Sequence, residues 1–167
     1  FGDSNRATYV NAGSAVQVDL AAGTATGGAG NDTLLNITQL RGSAHADTFT
    51  GSDRTDVTET YEGRAGDDII HGGGGLDQLR YQQSSSGVTV NLVDGTASDG
   101  FGGTDHFDGI EAVRGSASAD VLIGNVYEAG QPDVDAAVAA AKAALKGPWG
   151  KLSVVERCAM LDAIVAE

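Results

Sequence analysis

Two nonapeptides stand back to back in this chain, Gly63-Arg-Ala-Gly-Asp-Asp-Ile-Ile-His71 and Gly72-Gly-Gly-Gly-Leu-Asp-Gln-Leu-Arg80. Both follow G-G-x-G-x-D-x-U-x, where U is a large apolar residue and Arg64 replaces one glycine. This unit leaves few structural options. Its glycines admit backbone conformations closed to other residues and make a sharp turn that exposes carbonyls. The residues around U suit a very short strand. A helix is excluded, because glycine and aspartate interrupt every possible stretch. So short a strand cannot bury its apolar side chain alone, and burial has to come from stacking one unit on the next.

The rest of the first 125 residues is built from the same material. Gly27-Gly-Ala-Gly-Asn-Asp-Thr-Leu-Leu35 is a clean copy, and Gly100-Phe-Gly-Gly-Thr-Asp-His-Phe-Asp108 is nearly one. Gly42–Thr50 and Gly115–Ile123 keep the Asp-x-U ending but carry serine and alanine where glycines stood. Gly51–Glu59 is the poorest copy, read with threonine in the U position and three extra residues before Gly63. Longer segments also repeat: Ala15–Gly28 matches Gly87–Gly100 at an offset of 72, and Leu40–Gly51 matches Val113–Gly124 at 73. Such a duplication points to a stacked architecture.

The expected fold is all-β, a right-handed parallel β-roll or β-helix in which two nonapeptides complete one turn. The loop at Gly42 then stacks on that at Gly63, and the loop at Gly51 on that at Gly72, with U residues filling the interior. Val16, Val18 and Leu20, and their counterparts Val88, Val90 and Leu92, alternate as half-buried strands do. Leu34, Ile37 and Leu40, like Phe107, Ile110 and Val113, are expected to face inward. The segments 10–26 and 82–99 are expected to form wider turns or edge-covering strands.

Charge narrows the function. Residues 1–125 hold 17 acidic against 6 basic side chains, and across the whole chain aspartate outnumbers glutamate by 17 to 6. Neither phosphate backbones nor anionic lipids suit so acidic a surface, which argues against a nucleic-acid partner. Aspartates fixed in glycine turns instead suit calcium, which takes six to eight oxygen ligands in tolerant geometry. The candidate carboxylates are Asp32, Asp68, Asp77 and Asp105, with Asp47 and Asp120 as weaker candidates, and Gly30, Gly66 and Gly75 as the turn glycines that aim carbonyls at the ion. A turn aspartate can equally cap backbone N–H groups. For Asp47 and Asp120 the capping alternative is at least as strong, since Ser43-Ala44 and Ser116-Ala117 lack the glycine freedom. Asp67 and Asn31 are expected to face solvent, and Asp94, Asp99 and Asp108 are read as loop caps or a partial further site. Nothing has the EF-hand spacing, and zinc is a poorer fit. Residues 27–80 are expected to be partly disordered without calcium.

The nonapeptides resemble the RTX, or haemolysin-type, calcium-binding repeats of bacterial proteins exported by type I secretion, and the resemblance covers residues 10–125. It implies a parallel β-roll that folds outside the cell when calcium binds, within a larger secreted protein. Arg64 and the degraded 51–59 copy depart from that pattern.

From Val126 the composition changes to alanine-rich. Pro132–Leu145 reads as a helix stopped at Gly147-Pro148. Ser153 and Glu156 form a capping box for a second, so residues 126–167 are expected to be a helical hairpin able to close the end of the coil. With Trp149, Ser153, Glu156 and Arg157, this stretch resembles the N-terminal region of NAD-dependent aldehyde dehydrogenases, as in a fusion or chimera. The catalytic elements of that family are missing, and Cys158 is read as a core or interface thiol. A single cysteine excludes an internal disulfide. No apolar run is long enough to span a bilayer, and the opening at Phe1 reads as that of a processed or excised piece of a longer protein.

No catalytic motif involves His45, His71 or His106. The chain is therefore read as a non-catalytic, secreted calcium-binding module. The alternative is a carbohydrate-binding or accessory region, for which Tyr61, Tyr81 and Phe101 are the scattered aromatic candidates for a glycan.

Overall fold

A computed structural model describes residues 5–124, every regular element of which is a strand. The chain separates into two units, Phe1–Asn125 and Val126–Glu167. The helical hairpin expected at 126–167, and any capping by it, lie outside the described residues.

In chain order the strands are β1 (Arg6–Thr8), β2 (Val16–Asp19), β3 (Thr24–Gly27), β4 (Asp32–Thr33), β5 (Gln39–Arg41), β6 (Thr48–Thr50) and β7 (Thr58–Glu62). They continue with β8 (Ile69–His71), β9 (Leu76–Arg80), β10 (Thr89–Asn91), β11 (Thr96–Ser98), β12 (Thr104–Asp108), β13 (Ala112–Arg114) and β14 (Val121–Ile123). They form two sheets. The first, ordered β1-β5-β7-β9-β13, is parallel throughout. The second runs β14-β10-β11-β12-β8-β6-β2-β3-β4 and is parallel where the coil passes through it, at β2-β6-β8-β12.

The chain alternates between the sheets, so each turn of the coil gives a strand to each. Register shows what holds the turns together. In the second sheet Val18, Phe49, Ile70 and Phe107 stand in one row; in the first, Leu40, Tyr61, Leu79 and Val113 stand in another. The two rows belong to one core, in which the Phe49 and Tyr61 rings stack with centroids 6.5 Å apart. Between β7 and β9 the register is the expected two nonapeptides, Tyr61 opposite Leu79.

Two features differ from the sequence expectation. The segments 10–26 and 82–99 form antiparallel hairpins that lengthen the second sheet, β2-β3 and β10-β11, and they pair alike: Val18 faces Ala25 as Val90 faces Ala97. The extra residues of the 51–59 copy lie inside its loop, before the acidic position. Glu59 is therefore paired with Asp77 and Tyr61 with Leu79, so glutamate takes the place of the repeat aspartate and tyrosine that of U. The burial of Tyr61, which is fully enclosed, decides this alignment over one with threonine in the core.

The duplicated halves diverge at the ends of the coil. Phe49 is 0% exposed because β8 lies beyond β6, whereas its counterpart Leu122 on the edge strand β14 is 54% exposed.

Candidate metal centre

In each turn of the coil a loop ends on an acidic residue at the start of a strand, and Asp47, Glu59, Asp68, Asp77 and Asp105 are buried there while Glu111 is exposed. Stacking brings these residues into columns along the two loop edges. On one edge the loop at Gly42 lies against that at Gly63, where the Gly42 N–H donates to the Glu62 carbonyl at 2.8 Å. The loop at 99–105 lies on the other side, with the Thr104 N–H donating to Asp67 at 2.8 Å. The opposite edge stacks the loop at Gly51 on that at Gly72, through the Gly74 N–H to the Ser52 carbonyl at 3.1 Å. The pairing of loops read from the sequence is therefore seen.

Asp47, Asp68 and Asp105 form the first column. The Asp47 N–H donates to Asp68 Oδ1 at 2.7 Å, and the Asp68 N–H to Asp105 Oδ1 at 3.1 Å, so each carboxylate is tied to the next turn by one oxygen. What becomes of the other oxygen separates them. Asp47 is saturated: Ser43 donates its N–H at 2.6 Å and its hydroxyl at 2.8 Å, and the Val16 N–H adds a third bond at 2.8 Å. Asp105 Oδ2 accepts from the Tyr81 hydroxyl at 3.0 Å. Asp68 Oδ2 is buried and has no partner.

The second column holds Glu59, Asp77 and Glu111. Glu59 is saturated by the Ser52 N–H at 2.8 Å, the Ser52 hydroxyl at 2.6 Å and the Tyr61 hydroxyl at 2.8 Å. The Asp77 N–H donates to Glu111 Oε2 at 2.9 Å, while Asp77 Oδ2 is buried and unpartnered. Near the end of the coil Asp120 repeats the arrangement of Asp47, taking the Ser116 N–H and hydroxyl and the Val88 N–H. These donors hold its carboxyl below the usual range, the Val88 N–H first among them.

Asp68, Asp105 and Asp77 are costly to ionise. Burial, joined by the charges of Asp105, Asp47 and Asp99, pushes Asp68 up to about 8 against the opposing pull of the Asp47 N–H. Burial raises Asp105 to about 7, and the Asp99 and Asp67 charges add to it, while the Asp68 N–H and the Tyr81 hydroxyl pull it down. Burial and the charges of Glu59 and Glu111 raise Asp77 to about 6. Both tyrosines that reach these columns, Tyr61 and Tyr81, are raised well above their ordinary value, again chiefly by burial.

The residues fit a hard cation. Gly66 has φ +118°, and a Cβ there would lie 2.5 Å from the His45 carbonyl carbon, so only glycine closes the turn against the neighbouring loop. Gly75, at φ +116°, is pressed in the same way against the Arg54 carbonyl. Among the described residues no three His, Cys, Asp or Glu side chains are grouped as a metal site. An ion here must draw on backbone carbonyls besides one or two carboxylates, which suits calcium rather than zinc.

Asp32 and Gly30 are placed differently. Asp32 is exposed on β4, the terminal strand of its sheet, and Gly30, at φ +96°, faces open space. That copy forms the hairpin turn between β3 and β4, beside the 8–12 segment. Two acidic residues of the columns, Glu59 and Glu111, were not among the sequence candidates, whereas Asp99 was read as a loop cap or a partial further site. Glu59 was hidden by the insertion, Glu111 lies outside any nonapeptide, and Asp99 is buried with an unpartnered Oδ2. A usable signal for Glu59 was the Gly51-Ser52 start, shared with Gly42-Ser43 and Gly115-Ser116.

Residues 22–35 and 54–81 match the family described as the RTX calcium-binding nonapeptide repeat (4 copies). A separate likeness is to 2-hydroxymuconic semialdehyde dehydrogenases. The protein of that name from Pseudomonas putida is 50% identical over 58 residues, 35% of this chain and 11% of its own length. That from Pseudomonas sp. (strain CF600) is 60% identical over 43 residues, 26% of this chain and 9% of its own length. The chain thus spans about a tenth of these relatives. It combines an RTX repeat segment with a short stretch similar to an aldehyde dehydrogenase, the composition of a fusion.

Proposed function

We propose that this chain, which carries RTX calcium-binding repeats, is a non-catalytic structural module whose coil is completed when calcium bridges stacked loops. Asp68, with Asp105 from the next turn and the carbonyls of the Gly63–Asp67 loop, would hold an ion on one edge. Asp77 would hold one on the other, facing Glu59 and Glu111. The observation that carries this reading is the pair of buried, unpartnered oxygens, Asp68 Oδ2 and Asp77 Oδ2, in the two loops that follow the repeat pattern best. Each is an anionic acceptor withdrawn from water with no donor, and a cation removes that penalty.

Asp47 and Asp120 act in this scheme as caps, since serine already fills their acceptor positions. Asp32 would take an ion only with a further loop over it. Low calcium leaves the acidic columns uncompensated, so the module folds late, outside the cell, as part of a larger secreted protein. No helix among the described residues is long and apolar enough to cross a membrane. A glycan-binding role has less support, because Tyr61 and Tyr81 are spent in the core and Phe101 alone of the three is exposed.

The test is a calcium titration of the full chain, followed by far-ultraviolet circular dichroism and calorimetry against a chelated reference. Strand signal should grow as heat is released and saturate with both. An unchanged spectrum with no heat at millimolar calcium would overturn the proposal.

A further inference from the structure

We propose that the outer face of the first sheet binds a linear, carboxylate-bearing polysaccharide, with Arg80 and Arg114 gripping its acid groups and neighbouring amides and hydroxyls meeting its sugar hydroxyls. The site uses the flat of the sheet and none of the loops, so it stands apart from the calcium reading above.

Residues 1–125 carry 17 acidic side chains against six basic ones, all arginine. Four of those six stand on this one face. Leu40, Tyr61, Leu79 and Val113 belong to the core, so strand alternation turns their neighbours outward. One outward row holds Arg41, Glu62, Arg80 and Arg114, and the adjacent row begins with Arg6 beside Gln39. Glu62 is the single carboxylate in the two rows, and Arg41 Nε already holds it at 3.1 Å. Among the described residues Arg6, Arg80 and Arg114 have no acidic partner.

Arg80 and Arg114 stand directly opposite each other on β9 and β13, a like-charge pair that costs stability and that an anion relieves. Amide oxygens orient both guanidiniums without neutralising them. Gln78 takes only Nε of Arg80, at 2.9 Å, and Gln82 takes Nε and Nη2 of Arg114, each at 3.1 Å. The remaining nitrogens offer the planar fork that suits a carboxylate. Two polar depressions adjoin along the face, both lined by Gln39, Thr60 and Arg80, one extending to Arg6 and Gln82 and the other to Arg54. They make a track across the strands rather than the enclosed pit of a small-molecule site, which fits a chain of sugars. No aromatic side chain lines either depression, so recognition here is by charge and amide rather than by stacking. A nucleic acid is the poorer fit, because its denser phosphates meet the repulsion of the acidic loops flanking the sheet.

The experiment titrates the full chain, in calcium, with a short oligouronate, with a neutral oligosaccharide of equal length and with polyglutamate. The oligouronate should bind, more weakly as salt is added, and the neutral sugar should not. Arg80→Gln combined with Arg114→Gln should lose about tenfold in affinity, the scale of one charge-assisted contact. Circular dichroism identical to that of the parent chain shows that the double variant is folded. Arg114→Lys, which keeps the charge and gives up the fork, should lose part of the affinity and decides the matter if the double variant does not fold. No binding of the oligouronate, or undiminished binding by a folded double variant or by Arg114→Lys, overturns the proposal. Equal affinity for polyglutamate also overturns it and assigns the face to acidic peptides.

Discussion

Ser43 donates twice to Asp47, its N–H to Oδ2 at 2.6 Å and its hydroxyl to Oδ1 at 2.8 Å, and so supplies within one loop what a cation would otherwise supply. Ser52 does this for Glu59 and Ser116 for Asp120. Where the second loop residue is Arg64 or Gly73 instead, the carboxylate at the end of the loop keeps a bare, buried Oδ2. A single side chain thus separates the turns closed by a serine hydroxyl from the two whose carboxylates keep an oxygen without a donor.

Ser43→Ala should therefore destabilise the coil by about 1.5–3 kcal/mol, the range for a lost hydrogen bond to a buried charge. Chemical denaturation with and without calcium is the check. The loss should be of similar size in both conditions; a loss that calcium repairs would mean that Asp47 is itself a ligand.

Asp68→Asn and Asp77→Asn should show the opposite pattern. The amide keeps the shape while removing a charge whose Oδ2 has no donor, so without metal the variants should melt no lower than the parent chain, and their stabilisation by calcium should shrink. Paired melting curves in chelator and in excess calcium test this. A drop in chelator equal to the drop in calcium would assign both residues a packing role only.

pH provides an independent handle. Burial raises Asp68 to about 8, Asp105 to about 7 and Asp77 to about 6, against an ordinary value of 3.8. A raised carboxyl means that the folded chain holds more protons than the unfolded one, so the metal-free coil is favoured below about pH 4 by these groups and loses that advantage as pH rises through 6 to 8. Calcium must displace the same protons, so its affinity should rise across that interval. Melting in chelator at pH 5 and pH 8, with calcium titrations at both, gives the two slopes; stability in chelator that increases toward pH 8 would contradict the sign.

The distance between sequence and structure is uneven for physical reasons. Gly63 through Arg80 could be read directly, because turn, acidic residue and core residue follow at fixed spacing and Ile70 and Leu79 are buried where the pattern puts them. Glu59 could not, since an insertion inside a loop shifts spacing without disturbing the register that stacking imposes. Asp32 belongs to a cleaner copy than Asp105, yet Asp32 is exposed and Asp105 buried. Whether another turn lies over a loop is a property of topology, which a nonapeptide does not encode. Asp99 was legible as a loop cap or a partial further site, and the burial of its second oxygen is set by packing that the turn's own residues do not encode.

Arg64 gives the remaining prediction. It adopts φ +84° in the place of a glycine, its Nε is buried without a partner, and its Nη1 reaches the Val10 carbonyl only at 3.4 Å. A left-handed conformation costs a non-glycine residue about 1–2 kcal/mol, and the weak bond to Val10 returns little of it. Glycine removes that strain and adds an entropic cost of about 0.5–1 kcal/mol through the unfolded chain, so Arg64→Gly should be stabilising by up to about 1 kcal/mol. The change also takes a positive charge from the loop that ends at Asp68, where it competes with a cation. The gain should therefore be larger in calcium than in chelator, together with tighter calcium binding by calorimetry. Equal or weaker binding by Arg64→Gly would show that the guanidinium supports the loop rather than opposing the ion.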